Sequence, residues 1–321
     1  MTTMNNTNKT GAVAGIDIGG TNTVCGLVSE GGKIVGRSEF ITASYAHFHE
    51  FTARISSEIS GMLRATGLSL TGVGIGAPNA NYFTGTIDNA ANLVWKGSLP
   101  LRQEMEKHTG VKVVVTNDAN AAAMGEMIFG AARGMRNFIM LTLGTGVGSG
   151  IVADGRLLYG HTGLAGELGH VIVTENGRRC GCGRNGCLEA YASATGIVRT
   201  AKELLEAPGA VSSLKACTGK GLNSWIIARH AADGDAIALK AFDITAKYLA
   251  LTISNGVLFS SPEAIIFAGG LARAGDLLFV PLRKYIGEFI LNAFRGTFII
   301  TGTALPESDA AVLGAAALVV A

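Results

Sequence analysis

Asp17-Ile-Gly-Gly-Thr-Asn-Thr, residues 17–23, closes a short apolar run from Val13 to Ile18. A second apolar run, Val24 to Val28, follows. Then come a Glu-Gly-Gly turn at 30–32 and a third run, Lys33 to Ile41. Short runs punctuated by glycine predict strand, turn, strand, turn, strand. Phe138 to Leu143 begins the same series. It passes through Gly-Thr-Gly-Val-Gly-Ser-Gly at 144–150, Ile151 to Ala153, an Asp-Gly turn at 154–155, and Arg156 to Tyr159. One β-meander written twice predicts an internally duplicated α/β protein.

The segments around the two meanders alternate in type. Phe48, Phe51, Ile55, Ile59, Met62 and Leu63 recur at helical spacing between Phe48 and Ala65. Val73 to Ile75 and Val111 to Val115 read as short buried strands, the second running into Thr116-Asn117-Asp118 and an alanine-rich helix to about Phe129. Asp235 to Leu258 predicts a long helix, and Ala264 to Ala268 a buried strand entering Gly269-Gly270. A last helix is expected over Ala310 to Val320, with Ser308 or Asp309 as its N-cap. One phosphate turn per half predicts two α/β lobes. The first spans 1–116 and regains the C-terminal helix, 307–321; the second spans 117–306.

With 321 residues and 48% apolar content the chain can bury a large core. The net charge of +2 is scattered over both signs, which argues against a nucleic-acid surface. Residues 1–10 (MTTMNNTNKT) are polar and lack the apolar centre of a signal peptide, so they read as a frayed tail. The longest uncharged stretches, Ala264 to Ala272 and Ala310 to Ala321, are too short for a membrane span. A cytoplasmic protein is the expectation. Three of the five cysteines crowd between 180 and 187, which suits a metal site better than a disulfide framework.

A glycine-rich turn after a strand lets backbone N–H groups face phosphate oxygens with no Cβ in the way. Gly19 and Gly20 stand in one such turn with Thr21 and Thr23, and Gly144 and Gly146 in the other with Thr145. A single turn would read as an ordinary hairpin; two, one with Asp17 at the strand end, favour a phosphate clamp. A carboxylate beside phosphates implies an intervening Mg²⁺. The P-loop pattern G-x-x-x-x-G-K-[ST] is absent, because Asp276 stands where Gly270 to Gly275 would need lysine.

Together DIGGT, GTGVGSG and FAGG resemble the phosphate-1, phosphate-2 and adenosine segments of the actin/hexokinase ATPase superfamily. GIGAP (74–78), NDANAAAMGE (117–126), GLAGELGH (163–170) and CGCGRNGCLEA (180–190) narrow the resemblance to the ROK family of sugar kinases and repressors. It runs from about residue 13 to the C-terminus. The resemblance implies a two-lobed actin-like (ribonuclease H-like) α/β fold, a homodimer, and transfer of the γ-phosphoryl group of ATP to a free hexose. Gly269 and Gly270 would then lie on adenosine.

Asp118 at a strand end could, by itself, be no more than a helix cap. The resemblance implies that it is the catalytic base and that Asn117 binds sugar hydroxyls. It also implies that Glu167, His170 and Glu189 are sugar ligands, with Asn92 and Trp95 as weaker candidates. Asn79 stands where many family members have glycine, and either a contact to sugar or a turn would explain it. His170, Cys180, Cys182 and Cys187 form the donor set of a closed tetrahedral zinc site, and the resemblance implies a structural Zn²⁺ there. Cys25 and Cys217 read as ordinary packed or partly exposed thiols. Glucose fits the GELGH and CLE pattern, but mannose, fructose, allose, N-acetylglucosamine and N-acetylmannosamine kinases share much of it. A repressor would need a winged helix ahead of the first meander, where only about a dozen residues precede Val13. A sugar-binding protein without catalysis would not need Asp17, both turns and Asp118.

Overall fold

The computed structural model describes residues 11–320, so the 1–10 tail lies outside the described residues. The first meander comprises β1 (Gly11–Ile18), β2 (Asn22–Ser29) and β3 (Ile34–Ile41). It is followed by α1 (Phe48–Thr66), β4 (Ser69–Gly76), a small ribbon of β5 (Ile87–Asp88) and β6 (Ser98–Leu99), α2 (Leu101–Thr109), β7 (Val113–Thr116) and α3 (Asp118–Phe129). The second meander comprises β8 (Phe138–Leu143), β9 (Val147–Ala153) and β10 (Arg156–Leu157). After it come α4 (Glu189–Ala192), α5 (Ala194–Leu205), α6 (Ser224–Ala232), α7 (Ala236–Ser260), β11 (Ala264–Ala268), α8 (Asp276–Phe289), β12 (Ile299–Gly302) and α9 (Glu307–Val320).

The two meanders stand in separate five-stranded sheets, ordered β3-β2-β1-β4-β7 and β10-β9-β8-β11-β12. In each, the meander is antiparallel and the two added strands are parallel to its first strand. Packing divides the chain into two units. One holds residues up to 134, 159–165 and 304 onward; the other holds 135–158 and 166–303. Helix α3 goes with the first unit because it packs on α9.

In the first unit one core lies under α1, where Phe51, Ile55, Ile59 and Met62 are buried at the expected spacing and Gly67 ends the helix in the left-handed region. The other sheet face takes α9 at very short range. A Cβ on Gly15 would lie 2.1 Å from the Val312 carbonyl oxygen, and one on Gly74 would lie 1.8 Å from that of Ala315. Helix α9 begins at Glu307, earlier than expected. Pro306 supplies the reason: its carbonyl accepts from the N–H groups of Asp309 and Ala310, so the first turn closes before Ser308 can cap it. In the second unit, Ile139, Leu141 and Leu143 of β8 and Ile265 and Phe267 of β11 belong to a core with Ile197 of α5 and Phe242, Leu249 and Ile253 of α7. Asp235 caps α7 through the N–H groups of Ile237 and Ala238. Among the described residues, no helix is long and apolar enough to cross a membrane.

Candidate active site

In the first unit the parallel strands β1, β4 and β7 bring Asp17, Gly76 and Thr116 into register at their C-terminal ends. Asn117 and Asp118 follow directly. Gly76 lies between the two carboxylates: a Cβ there would be 3.9 Å from Asp17 Oδ1 and 3.5 Å from Asp118 Cα. Asn117 is the N-cap of α3, its Oδ1 accepting from the N–H of Asn120 at 2.7 Å. The cap role is therefore filled, and Asp118 is the first helical residue, its Oδ1 accepting from the adjacent N–H of Ala119 at 2.8 Å.

Both carboxyls are harder to ionise than in water. Burial, and after it the charge of Asp118, pushes Asp17 from 3.8 up to about 6. Asp118 keeps an exposed surface but is surrounded closely enough that desolvation raises it, against the backbone hydrogen bonds that lower it. Two raised acids side by side suit one metal-facing group and one proton acceptor.

The other expected residues of this unit separate by role. Gly19 donates its N–H to the Asn22 carbonyl, closing the turn. Gly20 fits against Asn92, whose carbonyl oxygen would be 2.7 Å from a Cβ. Thr21 is exposed. Thr23 is buried, and its hydroxyl bonds that of Thr42, which in turn donates to the Gly19 carbonyl. Thr23 thus braces the turn from behind. Asn79 has φ +52°, and its Nδ2 donates to the Asp88 carbonyl, so the turn reading of Asn79 has the geometry behind it. The same left-handed φ explains why glycine is an alternative there. Trp95 is buried against Phe48 and Phe51 as a core residue.

In the second unit, Gly144 to Gly146 follow β8. Gly269, at φ +93°, lies against the end of that strand, where a Cβ would be 2.5 Å from the Leu143 carbonyl oxygen. Gly270 follows, and Leu271 donates its N–H to the same carbonyl. The N-terminus of α5 meets the turn as well: Ala194 N–H donates to the Gly144 carbonyl at 2.8 Å and Thr195 Oγ1 to that of Thr145 at 2.9 Å. Ser193 caps α5, its side chain accepting from the N–H of Gly196.

Glu189 lies over the turn. One carboxylate oxygen accepts from the Val147 N–H at 3.0 Å and would collide with any Cβ on Gly146. Its other oxygen is 3.6 Å from Cys180 Sγ. Glu189 therefore links the glycine turn to the cysteine loop. A recess of about 230 Å³ opens here, lined by Arg179, Cys180, Glu189, Thr195 and Arg199 among others. Buried Ser149 binds Gly166 and Leu168 of the GLAGELGH segment, donating to the Gly166 carbonyl and accepting the Leu168 N–H. Glu167 and His170 are thereby held beside β9, with Glu167 Oε2 4.0 Å from His170 Nε2.

His170, Cys180, Cys182 and Cys187 bring their donor atoms within 4.8 Å of one another. Cys182 and Cys187 sulfurs are 3.6 Å apart, and His170 Nδ1 is 3.7 Å from Cys180 Sγ. Zinc–sulfur bonds of about 2.3 Å in a tetrahedron put sulfurs about 3.8 Å apart, so the set fits that ion. Burial pushes Cys180 up to about 12. Burial also opposes ionisation of Cys182, but hydrogen bonds from Arg184, Cys180 and Cys187 overcome it and bring Cys182 to about 6. Gly186, at φ +80°, passes so close to the Thr174 carbonyl that a Cβ would be 1.9 Å away. Arg178 is not a surface charge of this loop. Its side chain is 8% exposed, pairs with Glu203, and donates to the Ala190 and Gly196 carbonyls.

The chain matches the ROK family over residues 13–321. It is 38% identical to the glucokinase of Thermotoga maritima, covering 95% of this chain and 96% of that one. A ROK family glucokinase from Streptomyces griseus, solved with glucose and AMPPNP, superposes with a TM-score of 0.78 at 33% identity, over 96% of this chain and 98% of that one. A ROK family transcriptional regulator, a homologue of E. coli Mlc, superposes with a TM-score of 0.84 at 28% identity, over 96% of this chain and 77% of the regulator.

Proposed function

The chain belongs to the ROK family, and from that premise we propose that it is an ATP-dependent kinase of free hexoses, with glucose as the first substrate to test. The observation that carries the reading is the acid pair at the ends of β1 and β7, with the α3 cap filled by Asn117 and Asp118 left over for chemistry. Asp118 takes the proton of the sugar hydroxyl as that oxygen bonds the γ-phosphorus and the bond to ADP breaks. A carboxyl raised by desolvation is a stronger base than one in water, which favours this role. Asn117, Glu167, His170 and Glu189 are the proposed sugar contacts. The turns at Gly19 to Thr21 and Gly144 to Gly146 take the phosphates, and Gly269 and Gly270 the adenosine. Asp17 would hold Mg²⁺, through water, and the ion would supply positive charge against the phosphates.

We assign the four-residue cluster to structural zinc, with no position left for catalytic water. Its task is to fix Glu189, which touches Cys180. The protein is proposed to be a cytoplasmic homodimer of two-lobed protomers. The Mlc-like reading is set apart by the same acid pair, which sugar binding alone does not require.

A coupled ADP-release assay over glucose, mannose, fructose, allose, N-acetylglucosamine and N-acetylmannosamine tests the reading. Glucose is expected to give the highest kcat/KM, and ADP release independent of every sugar would overturn the kinase assignment. For the metal, elemental analysis is expected to find one zinc per chain. Cys180→Ser should lose it, melt earlier and bind sugar more weakly. An unchanged melting temperature in that variant would remove the structural zinc.

A further inference from the structure

Cys217 stands outside both the metal cluster and the proposed kinase site, in the 3-10 segment Ser213–Lys220, and is half-buried. Its Sγ is 3.6 Å from Nε2 of His230, in the last turn of α6. The other ring nitrogen of His230, Nδ1, is 2.6 Å from Ser213 Oγ. Ser213 Oγ is in turn 2.8 Å from Oδ2 of Asp235, the cap of α7.

Proton positions follow from what each group can do. Burial raises Asp235, but the Ala238 N–H, the Ser212 and Ser213 hydroxyls and the Ser213 N–H outweigh it and hold Asp235 at about 2. At neutral pH it is a carboxylate and can only accept, so the one hydroxyl proton of Ser213 points to it. Ser213 then has only lone pairs for His230, which places the ring proton on Nδ1. A neutral imidazole of that tautomer has a bare Nε2, and Nε2 is the atom facing the thiol.

We infer that Cys217 is a reactive thiol with His230 as its base, and that it is a modification site for small hydroperoxides. The Cys217 proton passes to His230 Nε2. The thiolate attacks the terminal oxygen of the hydroperoxide; an S–O bond forms and the O–O bond breaks. The leaving alkoxide or hydroxide takes the proton from His230. Sulfur is oxidised by two electrons to a sulfenic acid, and the peroxide is reduced to an alcohol or water. The other thiols differ in kind. Cys25 is fully buried and pushed up to about 12 by that burial, and Cys180, Cys182 and Cys187 belong to the metal cluster.

The test uses the full chain as purified, at neutral pH, with peptide-resolved mass spectrometry. Iodoacetamide is expected to label Cys217 about tenfold faster in the wild type than in His230→Gln, because thiolate sets the rate. Hydrogen peroxide followed by dimedone should leave an adduct on Cys217 that His230→Gln suppresses. Ser213→Ala keeps Ser212 on Asp235 and so preserves the α7 cap. It frees the His230 tautomer and should slow labelling by a smaller factor at an unchanged melting temperature. If His230→Gln fails to fold, Ser213→Ala decides alone. Labelling within twofold of wild type in Ser213→Ala and in any folded His230→Gln would overturn the proposal and reduce the cluster to a structural clip.

Discussion

Strands β1 and β8 occupy the same place in their sheets. Each has an antiparallel ribbon on one side and two parallel strands on the other. Yet the penultimate residue of β1, before its glycine turn, is Asp17, where β8 has Thr142. The coverings differ too. Glycines in β1 and β4 let the backbone of α9 lie almost on the first sheet, whereas β8 and β11 contain no glycine and meet their helices through side chains. The first unit thus presents a pair of acids on a plate that is tightly backed. The second presents a neutral turn steadied from outside by Glu189, α5 and the cysteine loop. A duplicated scaffold has kept its hydrogen-bond pattern while placing an acid pair in one copy and the cysteine loop in the other.

The largest expected effect is at the acid that only the first copy has. Asp118→Asn keeps size and shape, and α3 keeps its Asn117 cap, so folding should be unchanged. Turnover should fall by about 10²–10⁴, the usual contribution of a general base, with sugar affinity changed far less. Near-normal kcat would move the base to Glu167 or Glu189, and so to the second copy.

The contrast in packing is tested by glycine. Gly74→Ala would put a methyl 1.8 Å from the Ala315 carbonyl oxygen, which only a shift of α9 can relieve. A loss of about 3 kcal/mol in urea unfolding is expected, at the upper end for overpacking. A loss below about 0.5 kcal/mol, the range of neutral surface changes, would mean that α9 is not seated as described.

Asp17 gives a pH-dependent test. Its folded value, about 6, lies above the ordinary 3.8, so the fold holds that proton more tightly than the unfolded chain does. Stability therefore falls as pH rises between these values and stays lower above them. Without nucleotide or metal at about pH 8, Asp17→Asn should be more stable than wild type by on the order of 2–3 kcal/mol. The gain should shrink toward zero below about pH 4. Parallel stability profiles for the two proteins would show that Asp17 carries no such burden.

The smallest effect is the control in the second unit. A Cβ on Gly256 of α7 would meet only Ile139 Cδ1, at 3.5 Å, an ordinary contact. Gly256→Ala should stabilise by about 0.5–1 kcal/mol through helix propensity. A loss there would show that the second sheet is packed as closely as the first.

What was legible in the sequence was local. Both meanders could be read because glycine and apolar runs alternate within a few residues, and the cysteine–histidine cluster because three of its residues share one loop. Helix α1 announced its buried face by spacing alone. The start of α9 was misread because Pro306 accepts from the first-turn N–H groups through its backbone, which residue preference does not show. Glu189 over Gly146, Ser149 on the GELGH segment and α5 at Gly144 depend on contacts distant in sequence, so no local pattern encodes them. The boundary expected at residue 116 and the packing division at 134 differ by α3, whose allegiance is decided by α9, near the other end of the sequence.

That allegiance also bears on how the protein is made. The bare glycine face of the first sheet has no cover until α9 exists, and α9 is translated after all of the second unit. At roughly 5–20 residues per second, the nascent first unit waits on the order of ten seconds or more with that face open. The second unit, complete by Thr303, needs no such delay. Chains ending at Thr303 and released from the ribosome should therefore carry a protease-resistant second unit behind a first unit that is still digestible.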